Sequence, residues 1–416
     1  MVVATSAKEV VVFVHGLAGF GDDELGPIDY WAELDEFPRD RFDVFVASVG
    51  PVSSNWDRAC ELYAQIKGTR EGVPAEVSAG STSPLFAGLG NMIKSVTTIS
   101  TPHDGTPLID VLGEDIVELI KDLILGFAGI TGNTFVDLIY DFDLDHFGLG
   151  RQSGESFGDY VERVCANAIF DMGFRDLAPY DLSIDGSREL QQQGQQAYSN
   201  TFYFGMATEQ TVQNVPWCEW GYGCGLISVA EATMGLLLQP FANIIGSLRV
   251  ASDLRKNDGL VPFESSKCPK IGYSNGANGC TKFTGTWAPG RWYWMEVDRD
   301  HLQVIGFTFL YALTNDAIYS NHAERIWGIS GGNTYVGSSN VGDGTDEVSE
   351  PEQTSNSGLV VMSAAGGACV ALALVGAAYV VRRRRMRAAT ANATSTGSVN
   401  PKDFKMAAAQ NPMYDV

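Results

Sequence analysis

Residues 10–21 read VVVFVHGLAGFG, a β-branched and aromatic run that stops at a histidine and a glycine. Such a run has the composition of a strand buried on both faces. A glycine directly after it lets the backbone turn tightly and present its amides. An oxyanion-binding turn needs that, and a plain strand end can use it equally well. Working outward, residues 42–49, FDVFVASV, form a second run of this kind, closed by Gly-Pro. Residues 56–66, WDRACELYAQI, have helical apolar spacing, and residues 93–100, IKSVTTIS, make a third buried strand that ends at TPHDG. Strand, helix, strand in that order predicts a parallel sheet and the α/β class.

Two long apolar stretches, 109–140 and 226–248, read as helices. Most of their surface is expected in the core, and part could form a lid or an acyl-chain groove. After Trp327 the composition changes to GISGGNTYVGSSNVGDGTDEVSEPEQTSNS. The folded domain, 1–328, is therefore expected to end there, with a flexible acidic Gly/Ser stalk over 329–357. Residues 358–381, GLVVMSAAGGACVALALVGAAYVV, carry no charge and are followed at once by RRRRMR. That pattern predicts a single transmembrane helix with the basic tail, 382–416, in the cytosol and the domain outside or in a lumen. The orientation calls for an N-terminal signal, and MVVATSAK has neither a basic nor a separate apolar region, so the natural N-terminus is expected upstream. In the tail, Asn411, Pro412 and Tyr414 form an NPxY-like turn that a sorting adaptor could read.

The chain has 416 residues, 45% of them hydrophobic, enough for a sizeable core. Its formal charge of −22 excludes nucleic acid as a partner, which needs a basic footprint. Cys218 with Cys224, and Cys268 with Cys280, are spaced to pair in an oxidising compartment, the alternative being four free thiols.

Two downstream motifs carry acid–base chemistry. RKNDGLVPF puts Asp258 in an Asn-Asp-Gly turn, and DRDHLQVIG puts His301 on a loop before an apolar segment. Each alone also fits a surface turn or a surface histidine. Their order, aspartate before histidine, is the order in which α/β hydrolases present their triad after the serine.

Together HGLAGFG, ASVGPVSSNWDRACELYAQI, SPLF, SVTTISTPHDGTPL, YDFDLDHFGL, GESF, YDLSIDG, NDGLV and DHLQVIG resemble the thermoalkalophilic true lipases of bacilli and staphylococci, an α/β-hydrolase family. The match is collinear from about Val10 to Gly306. It implies that His301 is the general base, that Asp258 orients it, that the Leu17 amide is one oxyanion donor, and that the substrate is a carboxylic ester of a lipid, acylglycerols first.

The chain departs from that pattern in four ways. Between YAQ and SPLF the family holds a strand, a Gly-His-Ser-x-Gly elbow and a helix, roughly thirty or more residues, and here only Lys67–Ser83 remain. Asp57 and Asp145 match two zinc ligands of the family, but the two histidine ligands belong to the absent segment, which puts zinc in doubt. Gln303 replaces a glutamate of the family's calcium site, and hard cations need carboxylates, so calcium is not expected and no cofactor is assigned. The stalk and apolar C-terminal helix are additions. Three other serines sit in Gly-x-Ser-x-Gly matches, Ser156, Ser274 and Ser330, none on a strand-to-helix turn. Ser156 with Asp159 reads instead as a helix cap.

The expectation is thus a single-pass membrane protein with a lipase-like ectodomain that lacks its nucleophile and is inactive. A non-catalytic lipid- or protein-binding relative is the alternative. An incomplete gene model or a splice form would account for both the missing signal and the missing elbow.

Overall fold

A computed structural model describes residues 8–17, 19–21, 30–31, 34, 37–67, 93–112, 144, 147–170, 175–193, 197–270, 280–306, 316–330 and 359–364. The strands are β1 (Glu9–Val14), β2 (Phe42–Ala47), β3 (Ile93–Ile99), β4 (Phe202–Glu209), β5 (Thr211–Glu219), β6 (Gly223–Ala230), β7 (Thr281–Lys282), β8 (Trp292–Asp298) and β9 (Leu359–Ala364). Seven of them form one sheet in the order β2-β1-β9-β3-β4-β8-β7, and every pairing in it is parallel. The remaining two, β5 and β6, pair antiparallel as a separate ribbon.

The apolar runs of β1 and β4 follow from burial on both faces, since crossover helices cover a parallel sheet on each side. Val11, Phe13, Phe204 and Met206 are buried in one core. Phe13 meets Trp31 and Phe37 edge-on, with ring centroids 5.0 and 5.5 Å away. Gly205 in β4 is dictated by packing: a Cβ there would lie 2.0 Å from the Lys267 carbonyl, just past the short helix Phe263–Ser266. That close approach brings the segment following Asp258 onto the sheet.

The expected strands at 9–14, 42–49 and 93–100 and the helix at 56–66 appear as β1, β2, β3 and the helix Asn55–Lys67. Two expectations are corrected. The helix over 226–248 is instead the second half of β6, a turn, and a short helix, Gln239–Ile245. Apolar content misled there. Pro240 can only stand in the first turn of a helix, and the residues before it pair as a strand in register with β5. Of the helix over 109–140, Pro107–Leu112 is helical and the rest lies outside the described residues.

The second correction concerns the C-terminal apolar run. Leu359–Ala364, the first part of the expected transmembrane helix, is extended and lies between β1 and β3, with Val361 in register with Val12 on one side and Val96 on the other. The sheet therefore draws a strand from beyond residue 328. The physical reason is the vacant slot. Without a partner, β1 and β3 would each leave a row of backbone N–H and C=O groups unpaired inside the core, which costs more than a short helix returns. An apolar LVVM run is suited to fill it. Residues 365–416, with Asn411, Pro412 and Tyr414, lie outside the described residues. Among the described residues no helix is long and apolar enough to cross a membrane.

Candidate active site

The C-terminal ends of the sheet strands converge on one edge, where parallel α/β sheets hold their sites. Val14, Ser363 and Thr98 share a register there, and Ile99 aligns with Met206. Ser100 follows β3, and Thr208 stands near the end of β4.

Asp258 is held by its own turn. Its Oδ1 accepts the Leu260 and Val261 amides at 3.0 and 2.8 Å, while Asn257 Oδ1 accepts the Gly259 amide at 2.8 Å. Gly259 has φ 107°, a conformation open to glycine but strained for other residues, which explains the NDG sequence. With Oδ1 committed to the turn, Oδ2 faces inward. It takes His301 Nδ1 at 2.7 Å and the Thr208 hydroxyl at 2.5 Å, and the Ser100 hydroxyl also donates to it.

Burial by itself would raise the Asp258 carboxyl; the electrostatic interaction with His301 and the hydrogen bonds from His301, Ser100 and Thr208 outweigh it and hold the group below the ordinary carboxylate range. Ser100 Oγ is also 2.8 Å from His301 Nδ1, and 2.7 Å from Thr208 Oγ1.

The loop under His301 is fixed by its neighbour. Asp300 Oδ1 accepts the Leu302 and Gln303 amides at 3.0 and 2.8 Å, and Oδ2 accepts the Gly235 amide at 2.7 Å. Gln303, the residue that departs from a calcium ligand, instead bridges Asp300 N and the Thr233 carbonyl. With its Nδ1 turned to Asp258, His301 presents the lone pair of Nε2 on the opposite side of the ring. His301 is 1% exposed, and Nε2 is buried with no hydrogen-bond partner among the described residues. Other buried side-chain atoms, His322 Nδ1 and Ser95 Oγ among them, are in the same state; Nε2 differs in that the other nitrogen of its ring is bound to a buried carboxylate.

The structure brings Asp258 and His301 together. Leu17 is buried in the turn after β1, and its amide donates to no acceptor among the described residues. His15, beside it, is a brace rather than a base. Its Nε2 accepts the Val49 amide at 3.3 Å, and its Nδ1 faces the Gly16 carbonyl at 2.9 Å. Burial first, then the nearby Arg58, lower its pKa to about 3, so the ring stays neutral.

Asp57 accepts from the Ser54 hydroxyl at 3.1 Å at the start of the helix Asn55–Lys67. Asp145 lies outside the described residues, and no group of three or more metal-binding side chains is found among the described ones. Ser156 caps the helix Phe157–Cys165, accepting the Asp159 amide at 3.2 Å, as the sequence predicts. Ser274 and the stretch 68–92 lie outside the described residues, and Ser330 ends the helix Asp316–Ser330.

Sequence reasoning missed Ser100 and Thr208. A signal existed for the first, a serine directly after a buried strand, with φ 50° in the left-handed region. Its hydroxyl is spent on the Asp258 side of the imidazole and is buried, so Ser100 positions the pair and does not attack.

Comparison with known proteins gives the family and the fold. The family described as lipase-like, C-terminal domain, matches residues 7–79 and 73–322. A lipase of Staphylococcus epidermidis is 27% identical over 331 residues, covering 63% of this chain and 45% of that protein. Lipase 2 of Staphylococcus aureus is 26% identical over 332 residues with the same coverage, 63% and 45%. The chain thus spans about half the length of the curated relatives it matches. Among solved structures, EstA from Clostridium botulinum superposes with TM-score 0.63 at 29% identity, covering 78% of this chain and 88% of that one. Lipase 1 from Pelosinus fermentans gives 0.59 at 30% identity, with 77% and 98% covered. The Staphylococcus hyicus lipase, at TM-score 0.57 and 23% identity, shares the fold.

Proposed function

The chain belongs to the lipase-like family, and on that premise we propose that its site is built for serine-type hydrolysis of carboxylic esters of lipids, acylglycerols first. The observation that supports this is the Asp258–His301 pair at 2.7 Å at the C-terminal edge of the sheet, with Nε2 buried and without a hydrogen-bond partner among the described residues. In that chemistry an attacking hydroxyl at Nε2 would pass its proton to His301, and Asp258 would stabilise the imidazolium. The Leu17 amide, which donates to no acceptor among the described residues, would hold the developing oxyanion.

We further propose that this chain turns over little ester. The 67–83 stretch is too short for a strand, elbow and helix, and no serine hydroxyl is hydrogen-bonded to Nε2 among the described residues. The complete sheet across the nucleophile slot favours a second reading, a relative that binds lipid without hydrolysis.

Both readings are tested by treating the purified chain and His301→Ala with a fluorophosphonate probe and a short-chain nitrophenyl ester. A non-hydrolysable alkyl-ether analogue of an acylglycerol is titrated in parallel. The expected result is saturable binding of the ether, no adduct, and ester loss equal in both proteins. A His301-dependent rate with an adduct mapped to a serine, Ser363 at the end of β9 being the first to inspect, overturns the inactivity. Absence of ether binding overturns the lipid assignment.

A further inference from the structure

Among the described residues the exposed large apolar side chains are concentrated in one place. Of nine, six lie between 212 and 236, namely Val212, Trp217, Trp220, Tyr222, Leu226 and Leu236. Most belong to the ribbon of β5 and β6, whose tip is closed by the Cys218–Cys224 disulfide. Trp220, in the turn, is 99% exposed, and Trp217 and Leu226 are 55% and 52% exposed. A tryptophan that is almost wholly in water contributes nothing to packing, so the fold does not account for it.

The tip is held in shape. Gly221 and Gly223 take left-handed φ values of 84° and 81°, Arg249 pairs with Glu219 at 2.7 Å, and the same guanidinium lies over Tyr222. The base of the ribbon stands on the loops of the acid–base pair. The Gln210 amide donates to the Asn257 carbonyl at 3.0 Å, and the Glu231 amide donates to the Gln210 carbonyl at 3.1 Å. Just beyond β6, Thr233 and Gly235 are tied to Gln303 and Asp300.

We propose that this ribbon is an interfacial anchor that docks on the surface of a lipid layer and presents the Asp258–His301 edge to it. Three features select lipid over a protein face. The exposed residues are Trp, Tyr and Leu, the first two being the amphipathic rings that settle at a lipid–water boundary. A two-stranded ribbon of nine residues offers roughly 300 Å² per face at about 3.4 Å per residue and ~10 Å width. That is well short of the roughly 800 Å² per partner of a stable protein interface. And the ribbon is continuous with a site whose proposed substrate is itself part of such a layer. The docking rests on the lipid assignment above only for its biological purpose and needs no turnover.

The test uses the full chain with large unilamellar vesicles of phosphatidylcholine, read by co-flotation and by quenching of tryptophan with brominated acyl chains. The triple variant Trp217→Ser, Trp220→Ser, Leu226→Ser changes exposed positions, and an unchanged melting curve checks its fold. The expected result is flotation and quenching by the unaltered chain, with partitioning at least about tenfold weaker in the variant. Opening the clasp with Cys218→Ser and Cys224→Ser is expected to weaken partitioning less. Equal flotation of chain and triple variant, or flotation of neither, overturns the proposal. So does a concentration-dependent dimer that the variant abolishes, which would make a second copy the occupant. Failure here leaves ether binding at the site intact, so the two proposals fail separately.

Discussion

Two halves of the site meet at the C-terminal edge of the sheet, and they were completed to different degrees. On one side, Asp258, His301, Ser100 and Thr208 form a closed set in which both oxygens of the carboxylate have partners. On the other, the slot between β1 and β3 is filled by β9, drawn from far along the chain, and His301 Nε2 has no hydrogen-bond partner among the described residues. Backbone pairing asks only for an extended apolar segment, so many sequences can repair a sheet. Catalysis asks for one hydroxyl at one point on a strained turn, and a generic strand does not supply it.

The sharpest way to break this comparison is to remove residues 358–416. If β9 completes the sheet, the shortened chain loses its cooperative melt and exposes a ladder edge, the largest effect anticipated here. An unchanged melt would return 358–381 to the membrane-helix reading. Next in size, Asp258→Ala strips the partner from a buried histidine and two buried hydroxyls, and should cost about 3–5 kcal/mol in urea unfolding.

The third prediction concerns acid. His15, His103 and His322 are each lowered to about 3, in every case chiefly by burial. Their folded pKa lies below the unfolded value of about 6.5, so the unfolded chain binds the extra protons, and the stability they allow is present above that value. It is lost as pH falls from there towards about 3, by about 1.4 kcal/mol per pH unit for each histidine. Urea midpoints between pH 7 and 5 should show the slope, offset in part by Asp181, whose carboxyl burial raises to about 6 so that the folded chain takes up a proton there, and His322→Gln should make the slope shallower. Smaller again, Ser100→Ala should cost about 1 kcal/mol, and the nitrogen chemical shift of His301 Nδ1 should move, where Ser156→Ala, a helix-cap change of similar cost, leaves it untouched.

The parts of the fold that were legible share a cause. β1, β2, β3 and the helix Asn55–Lys67 have periods and stops written within a dozen residues, and each forms where its own pattern says. The Asp258 turn was legible for the same reason, because an Asn-Asp-Gly triplet sets its own hydrogen bonds. Residues 226–248 were misread because apolar content without period cannot tell a strand and turn from a helix.

What the sequence alone determined about this protein is local: which runs are extended, where the chain turns, and that an aspartate precedes a histidine. Only the tertiary structure decided that Ser100 and Thr208 close around Asp258, and that Leu359–Ala364 lies flat in the sheet. Those outcomes depend on partners more than a hundred residues apart in most cases, and on the cost of leaving buried backbone and carboxylate groups unpaired. No local window of sequence records that cost.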